Sequence, residues 1–228
     1  MEKDINIAVV IPWRAKPDRQ YAFNIVKSWY RDNLSNAQLF FSDDGKNDFC
    51  LSGCRNVGVR DAQNAGADVV IINDADTIPE IDPLMDAIVA ANNDDYVHLP
   101  YTEYRALGLL GTREFKKGVQ LKDCGAFIVQ GAVSGVYVAS PKTWWSHYGQ
   151  DERFRGWGFE DAAWYTAHTV ILGQEPIRHE GRVYALNHRS ANKKGPLFDS
   201  NKNLCDTYFS TPDRESMKNL AKEGLFLQ

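Results

Sequence analysis

The first hundred residues alternate between short, unbroken apolar runs and longer stretches with helical spacing. Residues 5–12 (INIAVVIP) form a β-branched run closed by proline, the pattern of a strand covered on both faces. Over residues 17–31, Tyr21, Ile25 and Trp29 recur on one helical face. A second strand is expected at 37–42, ending in the turn composition Asp43-Asp44-Gly45. Residues 54–67 read as a helix closed by Gly66. Residues 68–73 (DVVIIN) read as a third buried strand, stopped by Asp74-Ala75-Asp76 and Pro79, and residues 81–92 as a further helix. This order predicts an α/β fold with a mostly parallel central sheet flanked by helices.

The second half is less regular. The pattern predicts a short strand at 96–100, a loop-rich stretch over 101–123, and one or two strands over 126–139 broken by Gly131 and Gly135. A short helix at 141–148 and a loop carrying Arg155-Gly-Trp-Gly follow, then a helix at 160–172 and a strand at 182–187. Residues 190–203 have loop chemistry, and 213–222 form a final helix. No repeat, low-complexity run or linker composition divides the chain, so one domain over 1–228 is expected.

Composition narrows the partners. The chain has 228 residues, 43% of them hydrophobic, enough for one substantial core. A net charge of −4 gives no global basic footprint of the kind that drives nucleic-acid binding by counterion release. Basic residues gather locally at 113–122 and 178–194, which suits phosphate groups or a solvated face. Cys50, Cys54, Cys124 and Cys205 lack zinc-finger spacing and read as buried thiols in a reducing compartment. The first apolar run, about eight residues, is too short to span a membrane and lacks a signal-peptide layout. A soluble, cytoplasmic protein without a membrane span is expected.

Ligands of open α/β sheets bind beyond the carboxyl ends of the strands. Here the first three strands end in Pro12-Trp13-Arg14, Asp43-Asp44-Gly45 and Asp74-Ala75-Asp76, so ionisable groups gather on one edge, although turns favour Asp in any case. Two carboxylates one residue apart on a tight turn can face one hard cation. Mg²⁺ and Mn²⁺ are commonly held by one or two carboxylates plus substrate phosphates, and stabilise a departing diphosphate. In a second constellation, Gly156 and Gly158 flank Trp157, a flat face for a sugar ring, and Glu160 and Asp161 open a helix. Acids there complement the helix dipole. One of them is also placed to deprotonate an acceptor hydroxyl, a role worth roughly 10²–10⁴ in rate.

These stretches, with Arg55-Asn56-Val57-Gly58, residues 131–140 (GAVSGVYVAS) and Asn187-His188-Arg189 followed by Asn192-Lys193-Lys194, resemble the metal-dependent glycosyltransferases of the GT-A fold. The likeness is to the β-1,4-galactosyltransferase and chondroitin-polymerase type within the family-2-like group, and covers residues 5 to about 200. It implies a single GT-A, Rossmann-like domain, with a nucleotide-binding half over 1–100 and an acceptor-binding half over 101–228. It implies Mn²⁺ or Mg²⁺ held by Asp76 and His188, with Asp74 on the ribose or on the metal through water. Pro12, Arg14, Arg55, Asn56 and Asp43 or Asp44 would frame a nucleotide-sugar donor, a UDP-sugar above all. Trp157 and Glu160 would face the sugars, and Asp161 would be the base of an inverting transfer.

The chain departs from that type in having Ala162 and Ala163 after the acid pair, and Ala185 in place of a methionine before the metal histidine. Retaining N-acetylgalactosaminyltransferases carry W-G-G-E-N, whereas Asp161 stands here in place of Asn. The absence of an anchor and stem suggests a bacterial or phage enzyme. A saccharide is the default acceptor; protein or hydroxylated bases of phage DNA are alternatives. A sugar-nucleotide pyrophosphorylase would need a glycine-rich loop after the first strand, where Pro12-Trp13-Arg14 stands. A non-catalytic nucleotide-sugar-binding module is the reading from another class.

Overall fold

The computed structural model describes residues 5–188 and 193–225. Along the first half run β1 (Ile7–Pro12), α1 (Gln20–Asn33), β2 (Gln38–Ser42), α2 (Leu51–Asn64), β3 (Val69–Asn73), β4 (Thr77–Pro79) and α3 (Ile81–Asn93). There follow β5 (His98–Leu99), β6 (Glu103–Ala106), α4 (Gly108–Lys116), β7 (Phe127–Ile128), β8 (Val136–Ala139) and α5 (Pro141–Ser146). The chain ends with α6 (Glu160–Leu172), β9 (Ile177–Arg178), β10 (Arg182–Ala185), α7 (Pro196–Ser210) and α8 (Arg214–Glu223).

The β-branched runs take the middle of a six-stranded sheet, ordered β2-β1-β3-β8-β5-β9. β1 pairs in parallel with both β2 and β3, and every residue of β1 and β3 is buried, as continuous apolar runs require. β8 alone runs against the rest, since it is antiparallel to both β3 and β5 while β9 is parallel to β5. The sheet is therefore mostly parallel, as the sequence pattern implies. Its core joins β1, β3 and β8 to α1, α2 and α3. A smaller apolar cluster, with Phe154, Ala167, Tyr208 and Met217, packs α6 against α7 and α8.

In a second sheet, β4-β10-β6-β7, β10 is the strand expected at 182–187 and β7 falls within the strands expected over 126–139, but β4 and β6, three and four residues long, have no counterpart in the sequence reading. Two stretches expected as loops contain regular elements. Residues 101–123 hold β6 and α4, whose inward face is only Gly111 and Thr112, too little to write a helical period. Residues 190–203 contain the start of α7, with proline in its first turn. α2 begins at Leu51, ahead of the expected 54, because the Cys50 thiol caps it by accepting the Gly53 N–H at 3.2 Å. All four cysteines are free and buried, as expected.

Gly58 sets the approach of α2 to the sheet. A methyl group there would lie 2.1 Å from Val10 Cγ1 and 2.8 Å from the Ser42 hydroxyl, inside contact distance of β1 and β2 at once. Gly58→Ala is expected to push α2 outward and cost about 1–3 kcal/mol, lowering the midpoint of thermal unfolding by several degrees. Circular dichroism melts check this; an unchanged midpoint would mean that α2 does not need this approach.

Candidate active site

The turn after β3 is built before it is functional. Asn73, fully buried, donates to the carbonyls of Asp74 at 2.7 Å and Thr77 at 2.9 Å and accepts from the Tyr30 hydroxyl at 2.7 Å. The Asp74 N–H donates to Gly135 O at 2.8 Å. These bonds fix the Asp74-Ala75-Asp76 backbone against the end of β8. β10 then pairs with β4 in antiparallel register, Ala185 opposite Thr77, and Leu186 N–H donates to Asp76 O at 2.8 Å. That register carries His188 to the turn from far along the chain, where its Nε2 meets Asp76 Oδ2 at 2.6 Å. Arg189 and Asn192 of the same motif lie outside the described residues.

Arg55 lies beneath this turn with no solvent exposure. Its Nη2 donates to Asp74 Oδ1 at 2.5 Å, its Nη1 to Gln150 Oε1 at 2.9 Å, and its guanidinium sits 5.1 Å from the Tyr137 ring centre. Burial works against its charge, and nearby Asp74, Tyr137 and Glu160 more than restore it. The expectation that Arg55 frames the donor changes accordingly: it borders the cleft, but its guanidinium is bonded to Asp74 and Gln150. Asn56 is corrected more strongly. It donates to Gln150 O and Glu152 and accepts from Trp144 and Gln150 N–H, which leaves no donor or acceptor for a ligand.

Arg14, at the tip of β1, bonds both carboxylates of the β2 turn: Asp43 in a short two-pronged contact, and Asp44 at 3.0 Å. Arg155 reaches Asp44 from the other side at 3.1 Å. Arg14 lines the cleft, whereas Asp43 and Asp44 stand behind it and hold it. Among the described residues, Asp43, Asp44 and Cys54 are the group whose donor atoms all lie within 4.8 Å of one another. Two arginines already neutralise those acids, and burial pushes the Cys54 thiol up to about 12, so this corner is a poor cation site. Asp76 and His188, a carboxylate and an imidazole in contact, are chemically able to hold Mn²⁺ or Mg²⁺, with Asp74, bonded to Arg55, on the same turn.

The loop before α6 forms the opposite wall. Gly156, Gly158 and Phe159 have φ of +75°, +99° and +76°. For Phe159 this left-handed backbone costs on the order of 1 kcal/mol, a strain typical of functional turns. The loop leaves Trp157 40% exposed, parallel to Phe198 of α7 with ring centres 6.1 Å apart, and Lys193 Nζ lies 4.4 Å from its ring centre. Glu160 and Asp161 follow in the first turn of α6, where the Ala162 N–H holds Asp161 Oδ1 at 2.9 Å. Burial and then the charge of Asp161 raise the Glu160 carboxyl well above the usual range, against the pull of Arg55.

One cleft of about 720 Å³ joins these walls and brings together Pro12, Arg14, Arg55, Asp74, Asp76, Trp157, Glu160, Asp161 and His188. Sequence reasoning missed Tyr104, Phe49 and Phe198, which also line it, as does Lys194 of the motif after His188. Tyr104 and Phe198 belong to elements hidden in stretches read as loops. His98, His147, His168 and His179 lie off the cleft: His147 accepts from the Trp164 indole at 2.9 Å, and His98 contacts His179 at 3.0 Å.

No protein-family model matches the chain, and no curated protein matches it. Solved structures do. The catalytic domain of Drosophila β1,4-galactosyltransferase 7, in complex with xylobiose, superposes with a TM-score of 0.58 over 93% of this chain and 84% of its own, at 14% identity. The chain has the GT-A fold. A mutant of the same Drosophila enzyme, in complex with manganese, UDP-Gal and xylobiose, matches with a TM-score of 0.50 at 15% identity, over 77% of this chain and 65% of its own. GalNAc-T7, solved with UDP, GalNAc and Mn²⁺, matches with a TM-score of 0.54 at 10% identity over 96% of this chain. The chain spans about half of that larger GT-A protein, 55% of its length.

The raised Glu160 carboxyl makes a prediction about stability. A site that favours the protonated form exerts no penalty below the ordinary glutamate range. The penalty grows as pH rises through the unfolded value and is complete above the folded one. Glu160→Gln should therefore stabilise the fold at pH 8, by roughly 1 kcal/mol after screening by cleft water, and less at pH 5. Thermal melts of both proteins at the two pH values check this; an equal effect at both, or a loss at pH 8, would refute it.

Proposed function

We propose that the chain transfers a sugar from a UDP-sugar to an acceptor hydroxyl, with inversion at the anomeric carbon. The observation that carries this reading is the meeting of Asp74, Asp76, His188, Glu160 and Asp161, drawn from three separate parts of the sequence, in one cleft at the carboxyl ends of β1 and β3. The complexes of the structural neighbours, with UDP, UDP-Gal, manganese and a saccharide, support the same chemistry. Asp76 and His188 would hold Mn²⁺ or Mg²⁺, with Asp74 beside them. A bound ion would offset the charge of the leaving diphosphate.

The chain's own residues divide the remaining work. Arg14 faces the donor side of the cleft, pre-oriented by Asp43 and Asp44. Trp157 offers its exposed ring to a sugar. Glu160 keeps its proton more readily than an ordinary glutamate, which suits it to donate a hydrogen bond to a sugar hydroxyl. Asp161 then serves as the base: it takes the proton of the acceptor hydroxyl as that oxygen bonds to the anomeric carbon and the bond to the diphosphate breaks, releasing UDP. Attack from the face opposite the leaving group inverts the centre. A saccharide acceptor fits the aromatic wall. On this reading residues 1–100 supply the nucleotide side and 101–228 the acceptor side.

Two substitutions separate the roles. Asp161→Asn should lower transfer by roughly 10²–10⁴ while UDP affinity, read by calorimetry with Mn²⁺, stays within about twofold; near-normal turnover would remove Asp161 as base. Asp76→Ala should weaken Mn²⁺-dependent UDP binding by roughly tenfold or more, since it removes a direct ligand. Metal-stimulated binding that survives intact would place the ion elsewhere.

A further inference from the structure

On the small sheet the chain leaves an apolar surface uncovered. α4 turns Leu109 and Leu110 outward, 53% and 72% exposed, and β7, the outermost strand, exposes Phe127 by 62% and Ile128 by 50%. The two elements adjoin: a methyl group added at Gly108 would sit 3.7 Å from the Phe127 ring, and Gly111 packs directly on the Gly125 carbonyl. Soluble proteins seldom leave such side chains together without a partner.

The charge around the patch indicates which partner. Helical spacing puts Arg113 on the outward face of α4 with the two leucines; Lys117, which caps the end of the helix, and Lys122 follow, and all of them are exposed. From 107 to 131 the sequence holds four cations (Arg113, Lys116, Lys117, Lys122) against two acids (Glu114, Asp123), a local +2 in a chain of net −4. Glu114 is further committed to the Gly125 N–H at 2.7 Å. Apolar side chains flanked by long cationic ones along and after α4 match the boundary between anionic headgroups and acyl chains. A second copy meeting this face about a two-fold axis would set cations against cations. Duplex nucleic acid is met mainly through polar and basic contacts, not through a cluster of exposed apolar side chains.

We propose that the α4–β7 face docks the protein on an anionic lipid bilayer, with Leu109, Leu110 and Phe127 entering the headgroup boundary and the cations meeting lipid phosphates. Among the described residues no helix is long and apolar enough to cross a membrane, so the contact is one of surface attachment. Tyr104, which lines the cleft, lies on β6 beside β7 and accepts the Val129 N–H at 2.9 Å, so the cleft stands one strand away from the docked face.

Co-sedimentation of the full chain with phosphatidylcholine vesicles, with and without about a third phosphatidylglycerol, tests this. The bound fraction should rise roughly tenfold with the anionic lipid and fall at high salt. Leu110→Glu combined with Phe127→Glu, both at exposed positions, should abolish binding with an unchanged melting temperature. Lys117→Glu with Lys122→Glu should remove only the dependence on phosphatidylglycerol. Wild-type protein left in the supernatant with both vesicles, or undiminished binding by the Leu110–Phe127 variant, overturns the proposal. So does a dimer that this variant splits, or retention of duplex DNA, where vesicles bind nothing.

Discussion

The cleft is organised around a guanidinium with no access to solvent. Arg55 stands on α2, is held against the sheet by the close approach at Gly58, and is bound by Asp74 and Gln150. A buried charge persists only where it is paired, so the tip of β3, α2 and the segment around Gln150 are tied into one arrangement. One consequence is electrostatic. Asp74 is answered from within the protein, whereas Asp76, Glu160 and Asp161 face the cleft as a concentration of acid, favourable to a cation and unfavourable to a bare diphosphate.

A second constraint is register. His188 reaches Asp76 only because β10 pairs with β4, and that pairing is three residues long. Short strands contribute little stability of their own; β4 is also tied to the start of β8, where the Thr77 hydroxyl donates to the Gly135 carbonyl at 2.9 Å. The strained Phe159 does the corresponding work across the cleft. Its left-handed backbone starts α6 abruptly, so that Glu160 and Asp161 occupy the first turn and face the Asp74–Asp76 tip instead of solvent.

Much of this was legible in the sequence where burial writes a strong pattern. The β-branched runs of β1 and β3 are sandwiched on both faces, and α6 fell at its expected bounds because Glu160 opens it and Gly173 closes it in the left-handed conformation. β4 and β6, and so the small sheet as a unit, were hidden because strands of three and four residues show no period, and the start of α7 because its residues read as turn chemistry. At the site, residue types at strand ends pointed to the cleft, but not to which groups face a ligand. Asn56 shares a motif with Arg55, yet its amide is consumed in joining α2 to residues 144–152. Asp43 and Asp44 act through Arg14. Such distinctions depend on partners distant in sequence, which one chain without its fold does not display.

The whole reading turns on where a cation is held. Anomalous diffraction from crystals grown with Mn²⁺ and UDP locates it directly. A manganese peak bounded by Asp76 and His188, with the diphosphate against it, is what the geometry requires. A peak at the Asp43–Asp44 corner, or UDP bound in the cleft with no ion beside Asp76, would be incompatible with it.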